Sequence, residues 1–306
     1  MNRRTFAHAA AGAWVAAPAL FHPKKTGAWT ERMDEASATT FRLSVMLWTI
    51  YRDLPFAARL EKVAEAGYKN VELVGEYAKW TDADFDRANT ARKTLGISFD
   101  CTAGLKHSLT NPAERDAFLS ELSASLPIME RLDCPAIILL SGNALPLTSF
   151  EAQSQSCVDG LKAAAKIVEG RRISGQPVRL LLENIDPEEN PKYFLTSVAK
   201  AFEIVRAVDH PQVQVCYDIF HEQIAEGNLI EKLEKNIEHV GLIHVADVPG
   251  RHKPGTGEIN YPNIFRKLVA LRYKNVVAME FLPMSDPVAE LGAAAQMARV
   301  STQSTS

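Results

Sequence analysis

Four short apolar runs in the second half of the chain each end on a residue that can bind a metal ion: Glu183, Asp218, His244 and Glu280. If these runs are parallel strands, their carboxyl ends meet at one edge of the fold. Three carboxylates converging there repel one another unless a cation balances them. Carboxylates with one imidazole suit Mn²⁺, Mg²⁺ or Co²⁺ better than a structural zinc. The pattern therefore predicts a site for one divalent cation, with Mn²⁺ as the first expectation.

Two of these residues, Glu183 and Glu280, are also candidates for moving protons. A hydroxyl beside a carbonyl can chelate a divalent cation, which then stabilises the enediolate formed when a carbon-bound proton leaves. One carboxylate would remove that proton, and the other would return it. Return to the opposite face gives epimerisation, whereas return to the neighbouring carbon gives aldose–ketose isomerisation. The residues alone leave both outcomes open.

Two further residues are expected at the same edge. His221 follows Asp218 by three positions and is expected to reach the same mouth, with an imidazole that stabilises a loop as the alternative. Arg251 carries a permanent charge and a fixed fork of donors, so it could bind a substrate carboxylate or hydroxyl.

Eight short runs, mostly β-branched or aliphatic, predict the strands that position these side chains. They cover residues 43–48, 70–74, 97–102, 136–140, 178–183, 213–218, 240–245 and 276–281.

Eight stretches with helical spacing of apolar residues alternate with these runs. They cover residues 55–66, 82–95, 112–132, 149–173, 193–208, 229–237, 262–271 and 287–300. Strict alternation implies a parallel sheet. Eight repeats favour closure into a (β/α)₈ TIM barrel, and no glycine-rich dinucleotide or phosphate loop follows the first strand. We therefore expect one α/β catalytic domain over residues 41–306.

Composition agrees with an ordinary globular enzyme. The chain has 306 residues, of which 46% are hydrophobic and 23% charged, and its net charge is −3. Basic residues are scattered, which argues against a nucleic-acid partner. The four cysteines lie far apart without a CxxC pair, so buried free thiols are expected.

The first 40 residues resemble an export signal and a flexible lead-in. Arg3 and Arg4 precede a small-residue apolar run over residues 7–20, as in bacterial twin-arginine signals. This run is too short and weakly apolar for a convincing membrane span. We expect a periplasmic or other extracytoplasmic location, with a cytoplasmic protein carrying a disordered tail as the alternative.

Several motifs resemble hydroxypyruvate isomerases of the xylose isomerase-like group, to which the D-tagatose 3-epimerases are related. They are Leu-Glu-Asn at 182–184, Tyr-Asp-Ile-Phe-His at 217–221, Pro-Gly-Arg-His at 249–252 and Gly-Glu-Ile-Asn-Tyr at 257–261. The resemblance covers roughly residues 41–285 and is strongest from residue 180 onward. It implies a metal-dependent isomerase or epimerase acting on a small sugar or keto acid.

The resemblance also implies roles for particular residues. Its four metal positions match Glu183, Asp218, His244 and Glu280, and its proton-moving pair matches Glu183 and Glu280. His221, Arg251 and Glu189 match substrate-binding positions.

The sequence also departs from this pattern. Hydroxypyruvate isomerases often carry glutamine where this chain has His244, and histidine is more typical of the ketose epimerases. The first half matches less closely. Its loops shape the far end of the pocket, so Trp48 and His107 are candidate substrate contacts and the substrate is left open.

Other functions remain compatible with the residues. A metal-dependent lyase acting on a 3-keto-glycoside would use the same two glutamates. A non-catalytic sugar-binding barrel would need no proton-moving pair. An endonuclease of the same superfamily would need a trinuclear zinc site with several more histidines. Related enzymes are often dimers or tetramers, so a homo-oligomer is also expected.

Overall fold

The structure is a computed structural model that describes residues 39–303. The export signal and lead-in predicted over residues 1–40 lie outside the described residues, apart from Thr39 and Thr40. The described residues belong to one compact unit, which contains the barrel.

Eight parallel strands close into a barrel in the order β1-β8-β7-β6-β5-β4-β3-β2, which confirms the predicted fold. All eight predicted runs agree with the observed strands to within two residues at each end, and the run over residues 43–48 extends past the end of β1 into a 3₁₀ turn, Leu47–Thr49. The strands are β1 Arg42–Met46, β2 Asn70–Val74, β3 Ser98–Ala103, β4 Ala136–Leu140, β5 Arg179–Glu183, β6 Val213–Asp218, β7 Val240–Val245 and β8 Val276–Met279.

The register of the strands aligns the candidate ligands at one end of the barrel. Asp218 pairs with His244 across β6 and β7, and His244 pairs with Ala278 across β7 and β8. Glu183 ends β5 opposite Cys216 of β6. Glu280 follows β8 directly, and its backbone N–H donates to the carbonyl of Val245.

Helices surround the barrel. Within residues 39–303 they are α1 Phe56–Glu65, α2 Asp82–Leu95, α3 Arg115–Arg131, α4 Phe150–Val168, α5 Val198–Val208, α6 Ile219–Ala225, α7 Leu229–Asn236, α8 Tyr261–Ala270 and α9 Pro287–Gln303. Among these helices, none is long and apolar enough to cross a membrane.

The helix predicted over residues 149–173 is too long. It ends at Val168, and Arg172–Ile173 pairs with Gln176–Pro177 in a small antiparallel hairpin. Ser174 and Gly175 between them have φ of +48° and +76°, which is the left-handed conformation that a tight hairpin turn requires.

Two further differences concern the helices. The helix predicted from residue 193 begins instead at Val198, where the Ser197 side chain caps its first turn. The helix α6 is additional: it begins immediately after β6, because the Asp218 carboxylate accepts a hydrogen bond from the backbone N–H of His221.

Two apolar layers hold the structure together. One lies between the strands and the helices, and the other fills the inside of the barrel beneath the site. The inner layer consists of Met46, Cys101, Ala136, Ile138, Leu181, Cys216, Leu242, Val276 and Ala278. All four cysteines are buried and free, as predicted. The barrel is thus a packed core with its polar residues concentrated at the carboxyl ends of the strands.

Candidate metal centre and substrate cavity

The four predicted metal ligands converge at the carboxyl end of the barrel. Glu183, Asp218, His244 and Glu280 are all buried, and each offers one ligand atom within 4.8 Å of the others. Their strands are parallel and adjacent, so residues far apart in sequence meet at one point.

His244 lies at the centre of this cluster. Its Nδ1 is 2.8 Å from Glu280 Oε2 and 3.0 Å from Glu183 Oε1. Both glutamates therefore contact the same ring nitrogen. A cation held by these residues would offset the repulsion between the carboxylates.

The hydrogen bonds of the Asp218 carboxylate bear on whether these residues could bind a cation. Its Oδ1 accepts from the backbone of His221, whereas its buried Oδ2 has no hydrogen-bond partner among the described residues. Oδ2 lies 3.8 Å from His244 Nδ1, too far for a hydrogen bond. Burial raises the pKa of Asp218, with Glu280 adding to the effect and His221 opposing it. An unsatisfied carboxylate oxygen beside an imidazole and two glutamates fits a divalent cation with oxygen and nitrogen ligands.

Arg251 supplies the positive charge beside the cluster. Its Nη2 is 3.0 Å from Glu280 Oε2, and its Nη1 is 2.9 Å from Glu189 Oε2. Although burial opposes the shift, the charges of Arg251 and then His244 hold the pKa of Glu280 below its ordinary value. Glu280 is therefore an ionised carboxylate in this arrangement.

The loop that carries Arg251 is built around Asp247. The buried Asp247 carboxylate accepts five backbone N–H groups of residues 248–259, and Arg251 itself has φ of +57°. A non-glycine residue at positive φ persists only where its surroundings fix it. Asp247 is thus the residue that fixes the loop and, through it, the guanidinium.

His221 reaches the site, as predicted, and is held by a residue that the sequence analysis missed. Its Nδ1 is 2.5 Å from Asp186 Oδ2, and its Nε2 is 3.3 Å from Arg251 Nη1. Burial lowers the pKa of His221, but the carboxylates of Asp218 and Asp186 outweigh it and raise the value to about 9. Asp186 follows β5 by three residues, which is the signal that could have identified it.

Trp48 also lies in the site. Its Nε1 donates to Glu280 Oε1 at 2.6 Å, and its ring faces the guanidinium carbon of Arg251 at 5.3 Å. This contact combines a hydrogen bond to a carboxylate with a cation–π interaction. Trp48 therefore holds Oε1 of Glu280, whereas His244 contacts Oε2.

These side chains face a cavity of about 300 Å³ at the mouth of the barrel. Its lining includes four predicted substrate contacts, His221, Arg251, Glu189 and Trp48, together with Glu183 and Glu280. The remaining lining residues are Met46, Val74, Ala103, Gly104, Leu105, Ile138, Leu140, Ile185 and Asn190. An apolar wall with a few convergent polar groups is typical of a small-molecule site.

His107 is placed differently from the other predicted contacts. It lines a neighbouring cavity rather than this one, and its Nδ1 lies 3.0 Å from Glu121 Oε2.

Glu72, a charged residue in the middle of β2, is not among the residues predicted from the sequence. Its Oε2 lies 3.0 Å from His244 Nε2, so the imidazole is held on both of its nitrogens. A single glutamate between the buried apolar residues Val71 and Leu73 is the signal that could have revealed it.

Curated relatives with named activities align with most of the chain. A Danio rerio protein provisionally named hydroxypyruvate isomerase is 31% identical over 258 residues, which cover 79% of this chain and 90% of that protein. The 2-oxo-tetronate isomerase of Pectobacterium atrosepticum is 27% identical over 246 residues, covering 79% of this chain and 92% of the enzyme. This chain is an enzyme of the same isomerase class.

Solved structures share the architecture. A protein described as an AP endonuclease of family 2 from Brucella melitensis has a TM-score of 0.74 at 25% identity, covering 83% of this chain and 98% of that one. The 3-keto-D-glucoside 4-epimerase of Escherichia coli has a TM-score of 0.70 at 18% identity, covering 85% and 99%, and shows the likeness of the fold alone.

The family model for the xylose isomerase-like TIM barrel matches residues 60–300 of this chain. This match covers most of the barrel and includes all four residues of the acidic and imidazole cluster. The chain belongs to the xylose isomerase-like TIM barrel family.

Proposed function

We propose that the chain is a divalent-metal-dependent isomerase or epimerase of a small hydroxy-carbonyl compound, hydroxypyruvate or a ketose or aldose. One observation carries the proposal: Glu183 and Glu280 both lie within 3.0 Å of His244 Nδ1 and both line the same cavity. The names of the curated relatives support a small keto acid or keto sugar as the substrate.

Glu183, Asp218, His244 and Glu280 would hold the cation, for which we propose Mn²⁺, with Mg²⁺ or Co²⁺ as alternatives. When bound, it would supply Lewis-acid stabilisation for the negative charge that develops on the substrate oxygens.

The two glutamates would move the proton. One carboxylate takes the proton from the carbon next to the carbonyl, leaving an enediolate, and the acid so formed or its counterpart returns it. Glu280 is kept ionised by Arg251, which suits the role of acceptor. Glu183 reaches the cavity from β5, so the two carboxylates approach a bound substrate from different strands.

The other polar residues would orient the substrate. The guanidinium of Arg251 is held by Glu189 and Glu280 and borders the cavity, where it can bind a carboxylate or hydroxyl. His221 carries a raised pKa and lies beside Arg251, so it would donate to a substrate oxygen at neutral pH.

A second candidate reaction is elimination from a 3-keto-glycoside. It would begin with the same proton removal by Glu183 or Glu280 and would end with loss of a leaving group, so identification of the product separates the two. A sugar-binding barrel without activity would keep the cavity but would catalyse no proton exchange.

An endonuclease function is disfavoured by the ligand set. Among the residues described, the mouth of the barrel offers His221 and His244 as histidines beside the carboxylates, which is fewer than a trinuclear zinc site would use.

The test is proton NMR in D₂O with the Mn²⁺-loaded protein and a panel of hydroxypyruvate, several ketoses and a 3-keto-glycoside. Deuterium should enter next to the carbonyl, and the products should name the reaction. Glu183→Gln should slow exchange by roughly 10²–10⁴-fold at saturating Mn²⁺. Glu151→Gln, an exposed residue in the first turn of α4, is the matched control.

The absence of exchange with every member of the panel, in a protein that binds Mn²⁺, would contradict this function. Exchange that survives in Glu183→Gln would instead remove that glutamate from the proton transfer.

We also propose that residues 1–40 direct the folded protein through a twin-arginine export route. Arg3→Lys/Arg4→Lys keeps the charge and should leave the enzyme in the cytoplasm of a bacterial host, as measured by fractionation. Export of the double variant at the wild-type level would contradict this location.

A further inference from the structure

A second cavity, of about 420 Å³, adjoins the substrate cavity. The two volumes share four lining residues: Leu105, Leu140, Ile185 and Asn190. We name the second cavity the side compartment. A molecule long enough to cross the shared wall would therefore contact both volumes at once.

The shared wall is mainly aliphatic. Leu140, the last residue of β4, is 40% exposed, and Leu105 and Ile185 are partly buried beside it. Each square ångström of apolar surface removed from water contributes roughly 25 cal/mol. A ligand that covers Leu140 with the C–H face of a ring or chain would gain this contribution.

Polar side chains also line the side compartment, and three of them make no contact with polar groups of the described residues. Among the described residues, no hydrogen bond or ion pair involves the ammonium of Lys106 or the side-chain amides of Asn143 and Asn190. His107 approaches Glu121 through Nδ1, which leaves Nε2 for another partner. These groups together offer donors to a ligand that is rich in oxygen atoms.

The walls of the side compartment are held in place without a ligand. Ser108 Oγ bonds to the carbonyl of Ser141 at 2.9 Å, which joins the loops after β3 and β4. Gly142 has φ of +86°, and a Cβ there would lie 2.1 Å from Ser108 Oγ, so the two loops touch where only glycine fits. Glu121 Oε2 accepts the backbone N–H groups of Lys106 and His107.

We propose that the substrate spans both volumes. Its hydroxy-carbonyl unit would lie at the carboxylate cluster, and a second hydroxylated unit would cross Leu140 and bind Lys106, Asn143 and Asn190. The substrate class is thus a keto sugar carrying a further sugar unit, rather than a three-carbon keto acid. Together the two volumes fall within the ~300–1,000 Å³ of sites that enclose ligands of this size. The inference rests on the proposed function, because it identifies the substrate class of that site.

Binding of two unreactive sugar alcohols tests the side compartment directly. Xylitol is large enough for the substrate cavity alone, whereas maltitol carries a second sugar ring. Titration calorimetry on the full-length, Mn²⁺-loaded protein should give a Kd for maltitol at least about tenfold lower than for xylitol, since two or more hydrogen bonds are added.

Variants then test whether the higher affinity for maltitol comes from contacts in the side compartment. Asn143→Trp should fill the side compartment and remove the preference for maltitol while leaving the Kd of xylitol unchanged. Lys106→Ala/Asn143→Ala should weaken maltitol by about tenfold. Lys162→Ala, an exposed lysine on α4, is the matched control. Equal affinities for the two alcohols, no measurable binding of either, or equal losses for both in the variants would overturn the proposal.

The isotope-exchange panel distinguishes this failure from failure of the proposed function. A maltitol preference without exchange on any keto compound would leave the side compartment standing and remove the isomerase chemistry. Isotope exchange on monosaccharides without a preference for maltitol would support the isomerase chemistry and contradict the proposed role of the side compartment.

Discussion

Nε2 of His244 lies 3.0 Å from Oε2 of Glu72, and both side chains are shielded from solvent. The opposite nitrogen, Nδ1, faces Glu183 and Glu280. Burial raises the pKa of Glu72, and the charge of His244 opposes this shift. In its ionised form Glu72 would accept the proton on Nε2, which would leave the lone pair of Nδ1 for a cation. Glu72 would therefore select the tautomer of His244 that the proposed metal centre needs.

Glu72→Gln should weaken Mn²⁺ binding by roughly 10–100-fold, because a carboxamide is a poorer acceptor for the imidazole N–H. Titration calorimetry with Mn²⁺ measures the change. Glu61→Gln, an exposed glutamate on α1, should bind Mn²⁺ like the wild type. An unchanged affinity in Glu72→Gln would mean that the barrel interior alone orients the ring.

Asp218→Asn should change the thermal stability of the metal-free protein and of the Mn²⁺-loaded protein in different ways. In metal-free protein the substitution removes one of several buried, mutually repelling carboxylates, so the melting temperature should rise or stay the same. With Mn²⁺ at 100 times the wild-type Kd, the wild type gains about 2.7 kcal/mol, and the variant should gain less. Melting temperatures measured by calorimetry with EDTA and with Mn²⁺ test both expectations. An equal stabilisation by Mn²⁺ in the wild type and the variant would show that Asp218 is not a metal ligand.

Asp247→Asn should impair substrate binding more than stability. The amide nitrogen cannot accept the backbone N–H groups of Gly255, Thr256 and Gly257, all of which donate to Asp247 Oδ2. The loop would loosen, and Arg251 would lose its fixed position. We expect a KM raised by about tenfold or more and faster proteolysis within residues 247–259.

Asp209→Asn is the control for that measurement, because Asp209 lies at positive φ on the surface, a conformation that asparagine also adopts readily. Wild-type KM and proteolysis in Asp247→Asn would show that the loop is held by its other contacts.

Asp100 should make the barrel less stable at neutral pH than in mild acid. Burial raises the pKa of this carboxyl to about 7, although Arg42 opposes the shift. Between pH ~4 and ~7 the folded chain keeps a proton that the unfolded chain has lost, so the free energy of unfolding falls as pH rises through this window. Above pH ~7 both states are ionised, and the contribution becomes constant.

Asp100→Asn removes this dependence and should be the more stable protein at pH 8, by roughly 1.4 kcal/mol for each pKa unit of the shift. Urea unfolding at pH 5 and pH 8 measures the difference. Asp116→Asn, on the exposed face of α3, should show no such gain. A wild type whose stability does not decline over this range would contradict the assignment.

The local pattern of the sequence predicts the barrel and most of the ligand set. A run such as residues 240–245 is apolar at every position but one, which identifies a strand buried on both faces and singles out His244. Parallel strands present their carboxyl ends at one edge, so the order of the chain is enough to bring Glu183, Asp218 and His244 together. The export prediction, over residues 1–40, rests on the sequence alone.

The contacts that hold His244 and His221 in place could not be predicted from the local pattern of the sequence. Glu72 and His244 are separated by 172 positions, and their pairing depends on how the closed barrel brings β2 opposite β7. The pairing of Asp186 with His221 likewise depends on the path of a loop, and His107 falls in the side compartment for the same reason.

By itself the sequence determined which side chains can bind a cation and which end of the barrel they occupy, because both follow from residue type and strand polarity. Only the tertiary structure decided which atoms face one another: the unsatisfied Oδ2 of Asp218, the clamp of Glu72 on His244, and the second volume beyond Leu140. The physical reason is that hydrogen-bond geometry and cavity shape depend on distances between strands and loops that are distant in the chain, and no local pattern encodes these distances.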